Sequence, residues 1–280
     1  MEYIMNQNPF SFYDFLGYLI PGGLFLYLLY FVGVTYELEP AIQIVKFINT
    51  QHNAFSLLGY ASLIVSSYIS GHFVSILSAF FIEKYMNESL NYPSIYLFEN
   101  INDKYTEKRK IDKTKKIRNF IIKVITSPIM FLDLCTFKFC YSRGLPKKLA
   151  ENLWKKVSES YEHNLGISLH KSKYLDGDLF RFAYHSAYEF SQTHQSKIQN
   201  YVALYGFCRN VCFIFLLNFW ISVLALALTF FDNDTHKYNY LSIFITLFIL
   251  YVFYCGFVKF YRRYSLEVLM AFSLIKLKSQ

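Results

Sequence analysis

The sequence predicts an all-α membrane protein, with four transmembrane helices and a mainly helical cytoplasmic insert between spans two and three. Three observations carry that expectation. The first is composition: of 280 residues, 54% are hydrophobic and 20% aromatic, but only 17% are charged, against about 25% in a typical soluble domain. The second is clustering. Mean hydropathy is only +0.23, so the apolar residues must be gathered, and they fall into four runs: Phe15 to Val34, Ala54 to Ile82, Val211 to Phe231 and Tyr240 to Tyr261. Each meets the roughly 20-residue length of a bilayer crossing. The third is charge. The segment from Glu83 to Asn210 holds 21 Lys/Arg and 13 Asp/Glu, a net of +8 that equals the net charge of the whole chain. A disordered chain, a collagen and a disulfide-stapled scaffold are all excluded, the last because the five cysteines are odd in number and sit mostly in apolar runs.

The expected organisation is therefore residues 1–82 for spans one and two, 83–210 for the basic domain, and 211–280 for spans three and four with a cytoplasmic C-terminal helix. Orientation follows from the loops. Lys84, Lys197, Arg209, Arg262, Arg263, Lys276 and Lys278 flank the spans on one side; the other side has Lys46 and Lys237 among Glu37, Glu39, Asp232 and Asp234. The basic side belongs in the cytoplasm, and four spans then put both termini there. For a chain of this composition the bacterial inner membrane is the expected location. The first span is read as a retained helix, because Glu2 and Asp14 precede it in place of a basic leader.

Span one carries Pro21-Gly22-Gly23. Proline removes an intrahelical hydrogen bond and glycine adds backbone freedom, so this point should face protein or water. It reads as a packing kink or as a hinge lining a conduit. Span two has small residues at four-residue spacing, Ser67, Gly71, Ser75 and Ala79, beside a second row of Gly59, Ser62, Ser66 and Ser70. Such rows let helix backbones approach closely in lipid. Rich in hydroxyls and holding His72, the same face also suits a narrow wet passage. Asn218 in span three reads as an interhelical hydrogen-bonding group. Pro21, Gly22, Ser66, Ser70, Gly71, His72, Ser75 and Asn218 are thus the candidate pore or helix-packing residues.

In the insert, Lys104 to Lys123 contains nine basic and two acidic residues, spread around a helix, which suits solvent or anionic headgroups. Ile121 to Tyr141 is apolar but broken by Lys123, Pro128, Asp133 and Lys138, so an interfacial or buried core segment is expected there. Asp176-Gly177-Asp178 reads as a turn that starts a helix. If that helix ran unbroken from Asp178 to Phe231 it would be a rod of about 80 Å, with Gly206 as a kink. Arg181, His185 and Glu189 share one face of it, as do Tyr201, Tyr205 and Arg209. The plain reading is a solvated, salt-bridged face. The functional one is anion recognition, with arginine pairing to phosphate and tyrosine stacking on bases. Arg181, His185, Tyr188, Lys197, Tyr205 and Arg209 are the candidate ligand-binding residues.

No phosphate loop, H-E-x-x-H or complete nucleophile elbow is present, and Gly166-Ile167-Ser168-Leu169-His170 lacks the second glycine. His163, His170, His194 and Cys208-x-x-x-Cys212 have no metal-ligand spacing. The expectation is no catalytic residue, no metal and no cofactor.

Three segments carry a resemblance. They are Tyr13-Asp14-Phe15-Leu16-Gly17-Tyr18-Leu19-Ile20-Pro21-Gly22, Tyr205-Gly206-Phe207-Cys208-Arg209-Asn210, and Phe260-Tyr261-Arg262-Arg263-Tyr264-Ser265-Leu266-Glu267-Val268. With this layout the chain resembles membrane effectors encoded beside nucleotidyltransferases in bacterial anti-phage systems, the HalB-like effectors of Hailong systems. The resemblance covers mainly the span borders and assigns no residue a role. It implies a channel-like homo-oligomer whose cytoplasmic domain holds a nucleotide or oligonucleotide, made by a partner nucleotidyltransferase, and whose opening disrupts the bilayer. The alternative expectation is a non-catalytic membrane scaffold that recruits a cytoplasmic protein partner through the insert.

Overall fold

A computed structural model describes residues 14–35, 39, 42–43, 46, 57–101, 113–136, 144–169, 177–232 and 240–275. Among them every regular element is helical. In chain order these are α1 (Ile20–Thr35), entered through a π-helical turn at Phe15–Leu19; α2 (Leu57–Ser78), continued by a second π-helical turn at Ala79–Glu83; α3 (Lys84–Leu90); α4 (Pro93–Tyr96); α5 (Lys113–Ile125); α6 (Ser127–Cys135); α7 (Lys147–Leu165); α8 (Gly177–Phe190); α9 (Gln192–Asp232); and α10 (Tyr240–Leu274). Four stretches are long and apolar enough to cross a membrane: Phe15–Val34, Gly59–Tyr96, Thr193–Leu224 and Ile243–Leu274. The chain is a multi-pass membrane protein by that measure.

The contacts divide the chain into two compact units, Met1–Glu83 with Gly206–Tyr254, and Lys84–Tyr205 with Cys255–Gln280. The residues expected to form spans three and four and a C-terminal helix are thus shared between the units.

In the first unit, α1 and α2 meet at backbone distance. A Cβ at Gly22 would lie 1.7 Å from the Ser67 carbonyl oxygen, and one at Gly71 would lie 2.0 Å from that of Tyr18. Glycine is required at both, because no larger residue lets two backbones come so close. Phe81 stacks on Phe213 with ring centroids 5.8 Å apart, and Asn218 Nδ2 donates to Thr246 Oγ1 at 3.2 Å, tying α9 to α10. Tyr27, Phe31, Ile69, Phe73, Phe244 and Phe248 point outward, as lipid-facing side chains do.

The second unit has a core of its own. Helix α7 buries Ala150, Leu153, Trp154, Val157 and Tyr161 and exposes Lys155, Lys156 and Glu159 between them, the three- and four-residue spacing of an amphipathic helix. It stops at Gly166, which takes φ 64° and donates its N–H to the Glu162 carbonyl; this left-handed cap costs glycine little. In one cluster with the buried residues of α7 lie Ala183 and Ala187 of α8, Ile198 of α9, and Tyr264, Val268, Leu269 and Phe272 of α10, with Phe272 against Tyr161 at 4.9 Å between ring centroids.

The rod from Asp178 to Phe231 is not continuous. Helix α8 ends at Phe190 and α9 begins at Gln192, with Ser191 between them. The Ser191 carbonyl accepts the N–H groups of both His194 and Gln195 and so starts the new helix. From there α9 runs through Gly206 to Asp232.

Candidate functional site

Two constellations of polar and aromatic side chains stand out, one in each unit. The second unit contains a cavity of about 490 Å³, within the range of small-molecule sites. Successive turns of α8 supply Asp178, Phe180, Arg181, Tyr184 and His185 to its wall, while α10 supplies Tyr261, Tyr264 and Ser265. Tyr205 comes from α9, and Tyr92-Pro93-Ser94 from the start of α4.

The rings form a connected wall. Tyr205 lies 5.0 Å from Tyr261 and 5.5 Å from Tyr264, and Tyr264 lies 5.8 Å from Phe180 and 6.0 Å from Tyr184, centroid to centroid. Burial, and then the neighbouring Tyr188 hydroxyl, push the Tyr184 phenol above its ordinary pKa, so it stays a neutral donor and acceptor across the physiological range. Arg181 is exposed and Ser265 buried. The cavity therefore combines flat aromatic faces, hydroxyls and one guanidinium with the His185 imidazole and the Asp178 carboxylate. That set stacks on a planar ring and pairs with an anionic group.

Of the six candidate ligand-binding residues, the structure brings Arg181, His185 and Tyr205 together in this cavity. Tyr188 and Lys197 are not among its lining residues. The Tyr188 hydroxyl accepts a hydrogen bond from Gln199 Nε2, and Lys197 is exposed. Sequence reasoning missed Tyr92, Ser94, Tyr184, Tyr261, Tyr264 and Ser265. Tyr184 stands one turn from Arg181 and was within reach of a helical-face argument, whereas no local pattern joins residues 92–94, 177–185 and 261–265. His194 Nδ1 lies 2.6 Å from Glu267 Oε1, a part-buried link between α9 and α10. Among the described residues no group of His, Cys, Asp or Glu is placed to hold a metal ion.

Arg209 belongs to the other constellation, in the first unit. Its guanidinium forms an ion pair with Glu83, donates from Nε to Ser78 Oγ at 3.1 Å, and donates from the far nitrogen to Ser75 Oγ at 3.2 Å. Ser78 Oγ in turn donates to Asn210 Oδ1, and Asn210 Nδ2 donates to the Gly17 carbonyl at 2.7 Å. One connected network thus links the π-helical turn that enters α1, α2 with the π-helical turn that continues it, and α9. Ion pairs set among apolar helices are expensive unless fully hydrogen-bonded, and here each guanidinium nitrogen has an acceptor.

The remaining candidate pore or packing residues are distributed as follows. Gly22 and Gly71 form the backbone contacts already described, with Pro21 buried beside them. His72 stacks on Tyr18 at 3.9 Å and meets the edge of Tyr68 at 4.7 Å. Ser75 accepts from Arg209, and Asn218 donates to Thr246. Ser66 is exposed and Ser70 half-buried.

No protein-family model, curated protein or solved structure matches this chain.

Proposed function

We propose that this protein is a membrane effector controlled by a nucleotide or oligonucleotide ligand, which binds in the tyrosine-lined cavity of the second unit. The observation that carries the reading is that cavity: about 490 Å³, walled by stacked tyrosines, with Arg181 and His185 on one helix face. Stacking on tyrosine is tolerant of base identity, and arginine adds paired donors for phosphate. Coupling to the membrane part runs through α9. Tyr205 lines the cavity, and Arg209, one helical turn further along the same helix, holds Glu83, Ser75 and Ser78. A ligand that displaces Tyr205 biases the network that Arg209 anchors.

The effector works as a channel-like homo-oligomer. Four helices are too few to enclose a pore within one chain, and α2 keeps the small residues Ser62 and Ser66 exposed, as a helix packing against another copy requires. Positive charge on one side of the spans supports a bacterial inner-membrane location with both termini cytoplasmic. The role in anti-phage defence rests on the resemblance of the span-border segments alone.

The test is binding to the full-length protein in nanodiscs, read by thermal shift against mononucleotides, cyclic dinucleotides and short oligonucleotides, with mass spectrometry of any nucleotide that co-purifies. A hundredfold excess over Kd stabilises by about 2.7 kcal/mol, an easily read shift. Absence of stabilisation by every nucleotide, with a protein partner co-purifying in fixed proportion, would replace this reading with the scaffold.

A further inference from the structure

The consecutive helices α5 and α6, joined at Thr126, present an apolar face that none of the described residues of the second unit covers. Phe120, Ile121 and Val124 on α5 repeat the spacing of Met130, Phe131 and Leu134 on α6, and all six are exposed, Phe120 by 68% and Leu134 by 66%. The opposite face is the buried one. Ile122, Thr126, Ile129 and Asp133 are shielded, and the Asp133 carboxylate accepts a hydrogen bond from Tyr85 at 3.2 Å. The sole acidic group of the two helices is therefore turned inward and already engaged. The remaining charges are all basic: Lys113, Lys115, Lys116 and Arg118 in the first turns of α5, then the exposed Lys123.

We propose that this helix pair is an in-plane membrane anchor that sinks its six-residue apolar face into an anionic lipid monolayer. The apolar side chains enter the acyl boundary and the lysines reach phosphate and acidic headgroups, the division of labour of interfacial amphipathic helices. Three features favour lipid over a protein groove. The face is built from aromatic and long aliphatic side chains and carries no acidic group. Helix α5 carries five Lys/Arg residues and no acidic one, for which an anionic surface is the complement. And the chain already carries four helices able to cross a bilayer, so a lipid surface is at hand without any partner. Thr126 separates the two helices by a single residue and closes α5 by donating its hydroxyl to the Ile122 carbonyl at 2.7 Å. The turn can thus enter an apolar surface without exposing an unpaired hydroxyl donor.

The experiment uses the full chain in liposomes of phosphatidylcholine with about 30% phosphatidylglycerol, a typical anionic fraction. The photocrosslinker p-benzoylphenylalanine replaces Phe120 or Phe131 in turn, and Lys155, exposed on α7, in a control. Mass spectrometry after irradiation should find phospholipid adducts at Phe120 and Phe131 and none at the control. The Lys113→Glu, Lys115→Glu, Lys116→Glu variant should lower the phosphatidylglycerol share of the Phe120 adducts several-fold while phosphatidylcholine adducts persist. Absence of lipid adducts at both positions, or adducts to a second copy or another protein in their place, overturns the anchor. An unchanged phosphatidylglycerol share in the charge-reversed variant overturns its preference for anionic lipid.

Discussion

The side-chain amide of Asn210 donates to the backbone carbonyl of Gly17 across 2.7 Å. Pro21 explains why that bond is where it is. Having no N–H, proline leaves a carbonyl of the preceding turn without its usual donor, and Gly17 lies in that turn, where the π-helical register pairs the Ile20 N–H with the Phe15 carbonyl. Water supplies such a donor in a soluble protein; among apolar helices a neighbouring side chain must. Asn210 is buried and serves both sides at once, donating to Gly17 and accepting from Ser78.

Replacing Asn210 with leucine, which removes both bonds while keeping the branched side-chain shape, should destabilise the helix bundle by about 1–3 kcal/mol, the cost of leaving buried polar partners unmatched. Thermal unfolding in detergent, followed by helical circular dichroism, measures it. A midpoint unchanged from wild type would show that the Gly17 carbonyl needs no partner, and the account of Pro21 would fall with it.

The glycines offer a sharper contrast, because three of them stand close together in sequence or space and only two are pinned. A methyl group at Gly71 or Gly22 would strike backbone atoms of the facing helix, whereas one at Gly23 would meet only Ser67 Oγ at 3.7 Å, an ordinary contact. Gly71→Ala and Gly22→Ala should each cost about 1–3 kcal/mol by forcing the helices apart. Gly23→Ala should be neutral or slightly stabilising, since alanine is the better helix former. Equal effects at all three positions in the same unfolding assay would mean that α1 and α2 do not pack at this distance.

The Arg209–Glu83 pair invites a double-mutant cycle. Its side chains are 12% and 24% exposed, so each single change strands a shielded charge, while the double change removes both. Arg209→Met or Glu83→Gln alone should cost about 1–3 kcal/mol, below the roughly 3–5 kcal/mol of a fully buried pair because water still reaches Glu83. The double variant should recover at least half of the summed loss, a coupling that only partners in contact show. Strict additivity would mean that the two residues do not interact.

These cases also show where the sequence was legible. Hydrophobic runs announce spans because a bilayer imposes a length on every one of them, and the runs at Phe15 and Val211 lie inside helices of the structure. The row of Ser67, Gly71, Ser75 and Ala79 announced a close approach because only small side chains permit it, and Ser67 and Gly71 make one, whereas Ser62 and Ser66 of the second row are exposed. Arg209 carried no such sign. Its partner Glu83 lies 126 positions away, and a charge at a span border reads equally well as a ligand contact or as an ion pair. The tyrosines at 261 and 264 were hidden for another reason. They bracket Arg262-Arg263 and so read as the charged border of the last span, although Tyr264, Val268, Leu269 and Phe272 belong to the core of the second unit. The interruption at Ser191 has neither proline nor glycine to mark it, and tertiary packing overrides a helical propensity that is otherwise continuous.

The ligand reading then separates the two arginines that the sequence had placed together. Arg181 lines the cavity and is exposed, whereas Arg209 is committed to Glu83 and the serines of α2. Arg181→Glu should weaken nucleotide binding at least tenfold, since a guanidinium pairing with phosphate contributes about 1.5–3 kcal/mol and its reversal adds repulsion. It should leave the unfolding midpoint in the absence of ligand unchanged, as expected of an exposed side chain outside the core. Arg209→Glu should do the opposite, lowering the midpoint by placing two carboxylates side by side at Glu83. Tyr205→Ala should behave like Arg181→Glu in binding, because it removes the ring that stacks on Tyr261 at 5.0 Å. Isothermal titration with whichever nucleotide stabilises the wild type, paired with thermal unfolding of the same samples, reads both quantities. Equal affinity in the Arg181 and Tyr205 variants and the wild type would remove the ligand from this cavity, whatever the Arg209 variant does to stability.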